Sequence, residues 1–364
     1  MMERLKGLST PSRDNLVTYA LVFAAWAVMQ SLASAHAISS SMVGLLVPIT
    51  AYVSLAISLN LVVGISGELS LGHAGFMSVG AFTGLVVAQI LAPSVASGPL
   101  RLLVSMLAAG GVAALAGLVV GVPVMRLQGD YLAIVTLAFG EIIKNLLNNL
   151  YVGFDGGLHL SMTNVASLGM SGGKVLINGP QGAVGIEKLS SFMAGMLLVL
   201  FTLLVVTNLV NSRSGRAIMA VRDNRIAAES VGIDTTKYRL MAFVVAAALA
   251  GMAGALYAMN FSSIVPKKFD FNTSILILVF VVLGGMGNIR GGIISAALLT
   301  VLPEKLRFIG DFRMLIYAVV LISVMLFSNN AQVRMTLDGI RTRLARKDDD
   351  EALADGERGG GAHA

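Results

Sequence analysis

The chain has 364 residues, 56% of them hydrophobic and 13% charged, with mean hydropathy +0.81 and a formal net charge of +6. Soluble domains carry about 25% charged residues, so this composition leaves too little polar surface to face water and excludes an ordinary soluble fold. The absence of cysteine excludes a disulfide framework, a thiolate metal site and a cysteine nucleophile.

A helix needs about 20 apolar residues to cross a hydrocarbon core of ~30 Å, and such runs recur from the N-terminus onward. Arg4, Lys6 and Arg13 precede the first, at 16–35, and the small residues of "ASAHA" (33–37) imitate the layout of a cleaved leader. Its full-span length and the many runs that follow favour a retained helix. Further spans are expected near 41–64, 73–92, 102–125, 131–150, 190–210, 240–260, 273–287, 292–303 and 313–328. The expected fold is an all-α polytopic membrane bundle of about 8–10 transmembrane helices with broken or re-entrant segments. The glycine- and alanine-rich stretches 108–121 and 246–258 read as helices packed closely inside it.

Two glycine-punctuated segments interrupt the apolar pattern, "GISGELSLGHAGFMSVGAF" (64–82) and "GGMGNIRGGIISA" (284–296). Gly64 and Gly67 repeat the spacing of Gly284 and Gly287, which suggests an internal repeat. Broken helices beside a substrate path and simple turns at the inner surface both fit. In the first case Gly67, Ser70, His73, Gly284 and Gly287 are candidate path residues. The second segment is expected to break at Arg290, joining two short passes.

The span "GDYLAIVTLAFGEIIKNLLNN" (129–149) carries Glu141 and Lys144, one helical turn apart and near mid-membrane. A charge at that depth is costly unless paired or wet. A structural i,i+3 pair, with Lys144 free to snorkel outward, and a polar path in which Glu141 favours a substrate ammonium group remain open alternatives.

The loop "NSRSGRAIMAVRDNRIAAESVGIDTTKYR" (211–239) places Ile218, Val221, Ile226 and Val231 among Arg222, Asp223, Arg225 and Glu229, with Gly232 as terminator. A short amphipathic helix is expected, either seated in a partner's groove or flat on the membrane surface. With ten spans and an inside N-terminus, 17 of the 26 Lys and Arg fall inside, which puts both termini in the cytoplasm. Lys267, Lys268, Lys305, Arg307 and Arg313 run against that bias. The charged, glycine-rich tail is expected to be disordered.

No phosphate-binding glycine loop, metal-ligand histidine spacing or nucleophile elbow occurs. The basic balance reports membrane orientation, with no motif for nucleic acid. What remains is passage of something across a membrane.

Four stretches, 58–82, 127–147, 215–258 and 276–299, together resemble the M-type permease subunits of branched-chain amino acid ABC importers. The third is long and specific. The resemblance implies a 1–15 cytoplasmic segment, a 16–328 transmembrane permease domain and a 329–364 cytoplasmic tail, in a cell inner membrane. It implies no enzyme activity and no cofactor on this chain. The partners would be a second, related permease subunit, two cytoplasmic ATPases, an extracytoplasmic binding protein delivering leucine, isoleucine or valine, and the bilayer. Loop 211–239 would dock the ATPase, with Arg216, Arg222, Asp223, Arg225, Ala227, Ala228, Glu229 and Gly232 as coupling residues. A departure from the family pattern at 151–164, on the outer face, leaves open another amino acid, an amide or urea as cargo, whereas a second at 328–333 concerns the cytoplasmic end and bears less on the cargo. An ion-coupled transporter is the more distant alternative.

Overall fold

A computed structural model of the chain describes residues 10–35, 39–127, 129–170 and 173–306, with seven further positions between 312 and 323. It divides into two units, Met1–Glu304 and Lys305–Ala364, the second contributing only scattered described positions. The tenth expected span and the tail lie outside the described residues, save for those positions.

Helices α1 (Thr10–Ser34), α2 (Ser40–Asn60), α3 (His73–Ile90), α4 (Gly98–Val124), α5 (Asp130–Asn148), α6 (Phe192–Asn211) and α9 (Thr235–Ala258) fall where the apolar runs predict them. Among the described residues, six of these are long and apolar enough to cross a membrane. The exception is α5, whose Asp130, Glu141 and Lys144 set it apart. Two shorter helices, α10 (Phe271–Gly284) and α11 (Ile289–Lys305), form a hairpin. At ~1.5 Å per residue they measure roughly 21 and 26 Å, short of a full crossing. Their joint is the turn at Gly285 and Gly287, both with positive φ, rather than Arg290. Arg290 sits in the first turn of α11 and donates through Nε to Thr18 Oγ1 of α1 at 2.7 Å.

Helix α9 is the centre of the bundle, packed between α3 and α4. Lipid tails are as apolar as leucine, so close packing rather than hydrophobic burial must hold membrane helices together. Gly80 of α3 lies against the Gly251 backbone of α9, where any Cβ would overlap the carbonyl. Gly251 in turn receives Ala113 of α4, so three helices meet at one small residue.

The first glycine-rich segment is a true break. Helix α2 runs into a π-helical turn, Leu61–Ile65, after which 66–72 is non-helical and α3 begins at His73. Non-helical backbone away from water needs protein partners, and it has them. Glu68 N donates to Val62 O, Leu71 N to Thr136 Oγ1 at 3.1 Å, and Ala74 N to Ser274 Oγ at 3.2 Å.

Beyond the far end of α5 the chain forms a small β-structure that the sequence reading did not foresee. Strands β1 (Tyr151–Phe154), β2 (Leu158–Ser161) and β3 (Lys174–Asn178) make an antiparallel sheet in the order β2-β1-β3. The strands β4 (Ala183–Val184) and β5 (Ser263–Ile264) pair alongside, tying this insertion to the segment that precedes α10.

Candidate functional site

Loop 211–239 folds as two helices, α7 (Arg213–Asp223) and α8 (Arg225–Ser230), instead of one. Ser212 caps α7 by accepting from Gly215 N. Asn224, in extended conformation, ends α7 and caps α8 by accepting from Ala227 N at 3.0 Å. Gly232, at φ +83°, closes α8 as the sequence anticipates, with Ile233 N bonded to Ala228 O and Gly232 N to Glu229 O. The break divides the apolar residues. Ile218 and Val221 are buried against the bundle, whereas Ile226 and Val231 are 81% and 74% exposed.

The charged residues of the loop are mostly self-paired. Arg225 Nε meets Glu229 Oε1 at 3.0 Å, and Thr235 Oγ1 donates to the same oxygen at 2.8 Å. These two bonds, the arginine's first, hold the Glu229 carboxyl below the usual carboxylate range. Arg216 is exposed on α7, and Ala228 is buried beneath α8. Arg222 reaches inward: Nε and Nη2 bind Asp223 Oδ1, while Nη1 donates to Gly64 O at 3.2 Å. Gly67, at φ +75°, makes room for the Arg222 stem, since a Cβ there would lie 2.6 Å from its Cγ.

The two glycine-rich segments meet at this end of the bundle. A Cβ on Gly64 would overlap both Asn60 Oδ1 and the Gly287 nitrogen, and Gly287 N donates to Asn60 Oδ1 at 2.8 Å. Gly284 abuts the backbone of Gly291 and Gly292 inside the hairpin. Beside them Glu68 forms an ion pair with the buried Arg239 of α9. The Arg239 guanidinium also donates to the carbonyls of Met125 and Leu127, beyond α4. Glu68 and Asn60 escaped the sequence reading. A lone carboxylate inside a glycine-broken apolar stretch was the available signal, because buried charge requires a partner.

The other candidates lie deeper. Ser70 is buried and its hydroxyl has no hydrogen-bond partner. His73 opens α3, fully covered, with Nε2 2.8 Å from Ser58 Oγ. Glu141 and Lys144 form the i,i+3 ion pair, and Lys144 is the more covered of the two rather than extended outward. Glu141 also borders a cavity of about 10 Å³ with Leu71, Gly75, Asp270 and Ser274. That space admits at most about one water. A cavity of about 620 Å³ lies elsewhere, between α4 and α6, with apolar walls such as Leu102, Met106 and Phe201, and contains none of the candidate residues.

This arrangement joins a helical loop with exposed apolar side chains to two broken segments inside a multi-pass bundle. A family model described as the branched-chain amino acid transport system / permease component matches residues 41–327. The chain belongs to that family. It is 32% identical over 289 residues to the high-affinity branched-chain amino acid transport system permease protein LivM of Salmonella typhimurium. It is 31% identical over 295 residues to the protein of the same name from Escherichia coli. Each match covers 76% of this chain and 64% of the relative, so the chain spans just under two thirds of the length of these permeases. No solved structure matches it. The chain is accordingly a multi-pass membrane protein of a transport family, and each of its breaks falls within the matched residues.

Proposed function

We propose that this chain is a permease subunit of an ATP-binding-cassette importer for leucine, isoleucine and valine, supplying half of a shared translocation pathway. The observation that carries the proposal is the likeness to the two LivM permeases across 76% of the chain. A second, related permease subunit would complete the path, and an extracytoplasmic binding protein would deliver the cargo. The chain would bind no cofactor itself, with ATP hydrolysed by two cytoplasmic partner subunits. It would sit in the cytoplasmic membrane with both termini inside and the permease domain spanning 16–328.

Exposed apolar residues on a short helix at the cytoplasmic end are suited to a protein groove, which makes Ile226 and Val231 on and just after α8 the docking point for the ATPase. Motion delivered there reaches the first break through the Arg222–Gly64 bond. In the path itself Glu141 would favour the ammonium group of an amino acid, with Ser70 and His73 lining the approach.

The test is uptake of labelled leucine by cells with and without the gene, with ATP and the proton gradient depleted separately. ATP-dependent uptake that is lost with the gene and competed by isoleucine and valine supports the proposal. Leucine uptake untouched by the deletion refutes the cargo, and competition by urea or another amino acid would replace it. Uptake lost with the proton gradient while ATP remains would point to an ion-coupled carrier.

A further inference from the structure

Asn60 is the last residue of α2 and is 1% exposed, buried where the two breaks cross. Its Oδ1 accepts from the Gly287 amide at 2.8 Å, while its Nδ2 has no partner. An amide side chain is costly to bury away from water, and here its one side-chain hydrogen bond goes to a residue 227 positions away. Among the described hydrogen bonds it is the one that ties the 285–288 turn to the rest of the bundle. Only glycine at 64 lets the two approach, since a Cβ there would occupy the space of both Asn60 Oδ1 and Gly287 N. The Gly64 carbonyl is the acceptor for Arg222 of α7. A continuous set of contacts therefore runs Arg222–Gly64–Asn60–Gly287, from the loop through the first break to the second.

We infer that Asn60 is a positioning residue that joins the α10–α11 turn to the first break, so that the loop 211–239 and both breaks move as one body during transport. The transport half of this statement rests on the permease function proposed above; the mechanical half does not. Without the joint, α10 and α11 stay fastened to the bundle through Ser274 and Arg290, but the 285–288 turn keeps only bonds within its own hairpin and is free to lag behind the loop.

The natural chain lacks cysteine, so spin labels can be placed by two substitutions alone. Arg216→Cys on α7 and Met286→Cys in the turn, which is 64% exposed, report the separation of loop and hairpin in lipid nanodiscs. A second pair, Arg216→Cys with the exposed Thr236→Cys, reports whether loop and α9 remain folded. With Asn60 intact both pairs should give one narrow distance distribution. Asn60→Ala should broaden the 216–286 distribution at least twofold and leave 216–236 narrow. An unchanged 216–286 distribution overturns the joint.

If Asn60→Ala broadens both pairs, hydrogen exchange of the unmodified chain decides instead. The Gly287 amide should then exchange at least a hundredfold more slowly than that of its exposed neighbour Met286, and equal rates overturn the joint. In the assembled importer Asn60→Ala should lower uptake at least tenfold while ATP hydrolysis continues. Broadened labels with normal uptake would overturn the role in transport alone, and because cargo enters only the uptake assay, an error in cargo leaves the label result unaffected.

Discussion

The ion pair between Glu68 and Arg239 sets the strength with which the first break is fastened to α9. Arg239 is 3% exposed and fastens two segments to α9: Glu68 in the break, and the turn past the end of α4 through the Met125 and Leu127 carbonyls. Glu68→Leu would leave the guanidinium buried with only its two carbonyl partners, and losing one partner of a buried pair costs about 3–5 kcal/mol. Arg239→Leu should cost a similar amount, because the carboxylate is then stranded. Replacing both by leucine removes both charges, and exchanging a buried pair for apolar side chains is often close to neutral. What remains is the loss of two carbonyl bonds, about 1–3 kcal/mol each in a buried site. The double variant should therefore lose about 2–6 kcal/mol, well short of the roughly 6–10 kcal/mol sum of the two singles, with a coupling on the order of 4 kcal/mol. Reversible unfolding in mixed micelles, followed by far-ultraviolet circular dichroism, measures all three. Additive losses, with the double variant at the sum of the singles, would refute the argument that each charge is there to satisfy the other.

Asp223→Arg, which replaces the Arg222 partner by a like charge, should uncouple ATP hydrolysis from uptake while leaving the chain in the membrane, as read by paired uptake and ATPase assays. Ile226→Asp with Val231→Asp should leave thermal stability within about 0.5 kcal/mol, as expected for exposed positions, and abolish co-purification of the ATPase; retained co-purification removes these residues from the interface. Glu141→Gln should reduce uptake at equal protein level if the residue lines the path, and normal uptake would leave it a structural partner of Lys144. The Glu229 carboxyl lies below its usual range in the folded loop, held by Arg225 and then Thr235. Its contribution is present above the ordinary glutamate pKa of about 4.3 and is lost only as pH falls through the lower folded value. Amide protection over 225–233, taken relative to the intrinsic exchange rate at each pH, should accordingly hold as pH falls to about 4 and decline below it, and Glu229→Gln should remove that step.

Helix positions were legible because a 20-residue apolar run has few other uses, and the described span-forming helices lie where the hydropathy predicts them. The glycine clusters marked both breaks, but not the joint of the hairpin. Arg290 drew the eye as a charge among glycines, whereas the turn falls where Gly285 and Gly287 supply positive φ. The split of loop 211–239 was readable in principle. Ile226 is five residues beyond Val221, out of phase with a single helical face, and Asn224 between them is a natural cap. The β-structure at 151–184 left little trace, because strands of two to five residues interrupted by glycine carry too few alternations to register. Asn60 with Gly287 and Glu68 with Arg239 were beyond reach for another reason. Each joins residues more than 150 positions apart, and nothing in the local sequence names the partner.

The small-residue seam of α9 also has a consequence for how the protein is made. Helices α3 and α4 leave the ribosome with their close-packing faces complete, but the helix that fills them begins at Thr235, more than 100 residues after α4 ends at Val124. At about 5–20 residues per second, synthesis of the intervening chain takes roughly 5–20 s. During that interval Gly80, Gly84 and Gly117, which α9 later covers, face lipid or the insertion machinery. Nascent chains arrested before Thr235 should therefore be degraded faster than those arrested after Ala258, making the arrival of α9 the moment at which the newborn protein becomes resistant to membrane proteases.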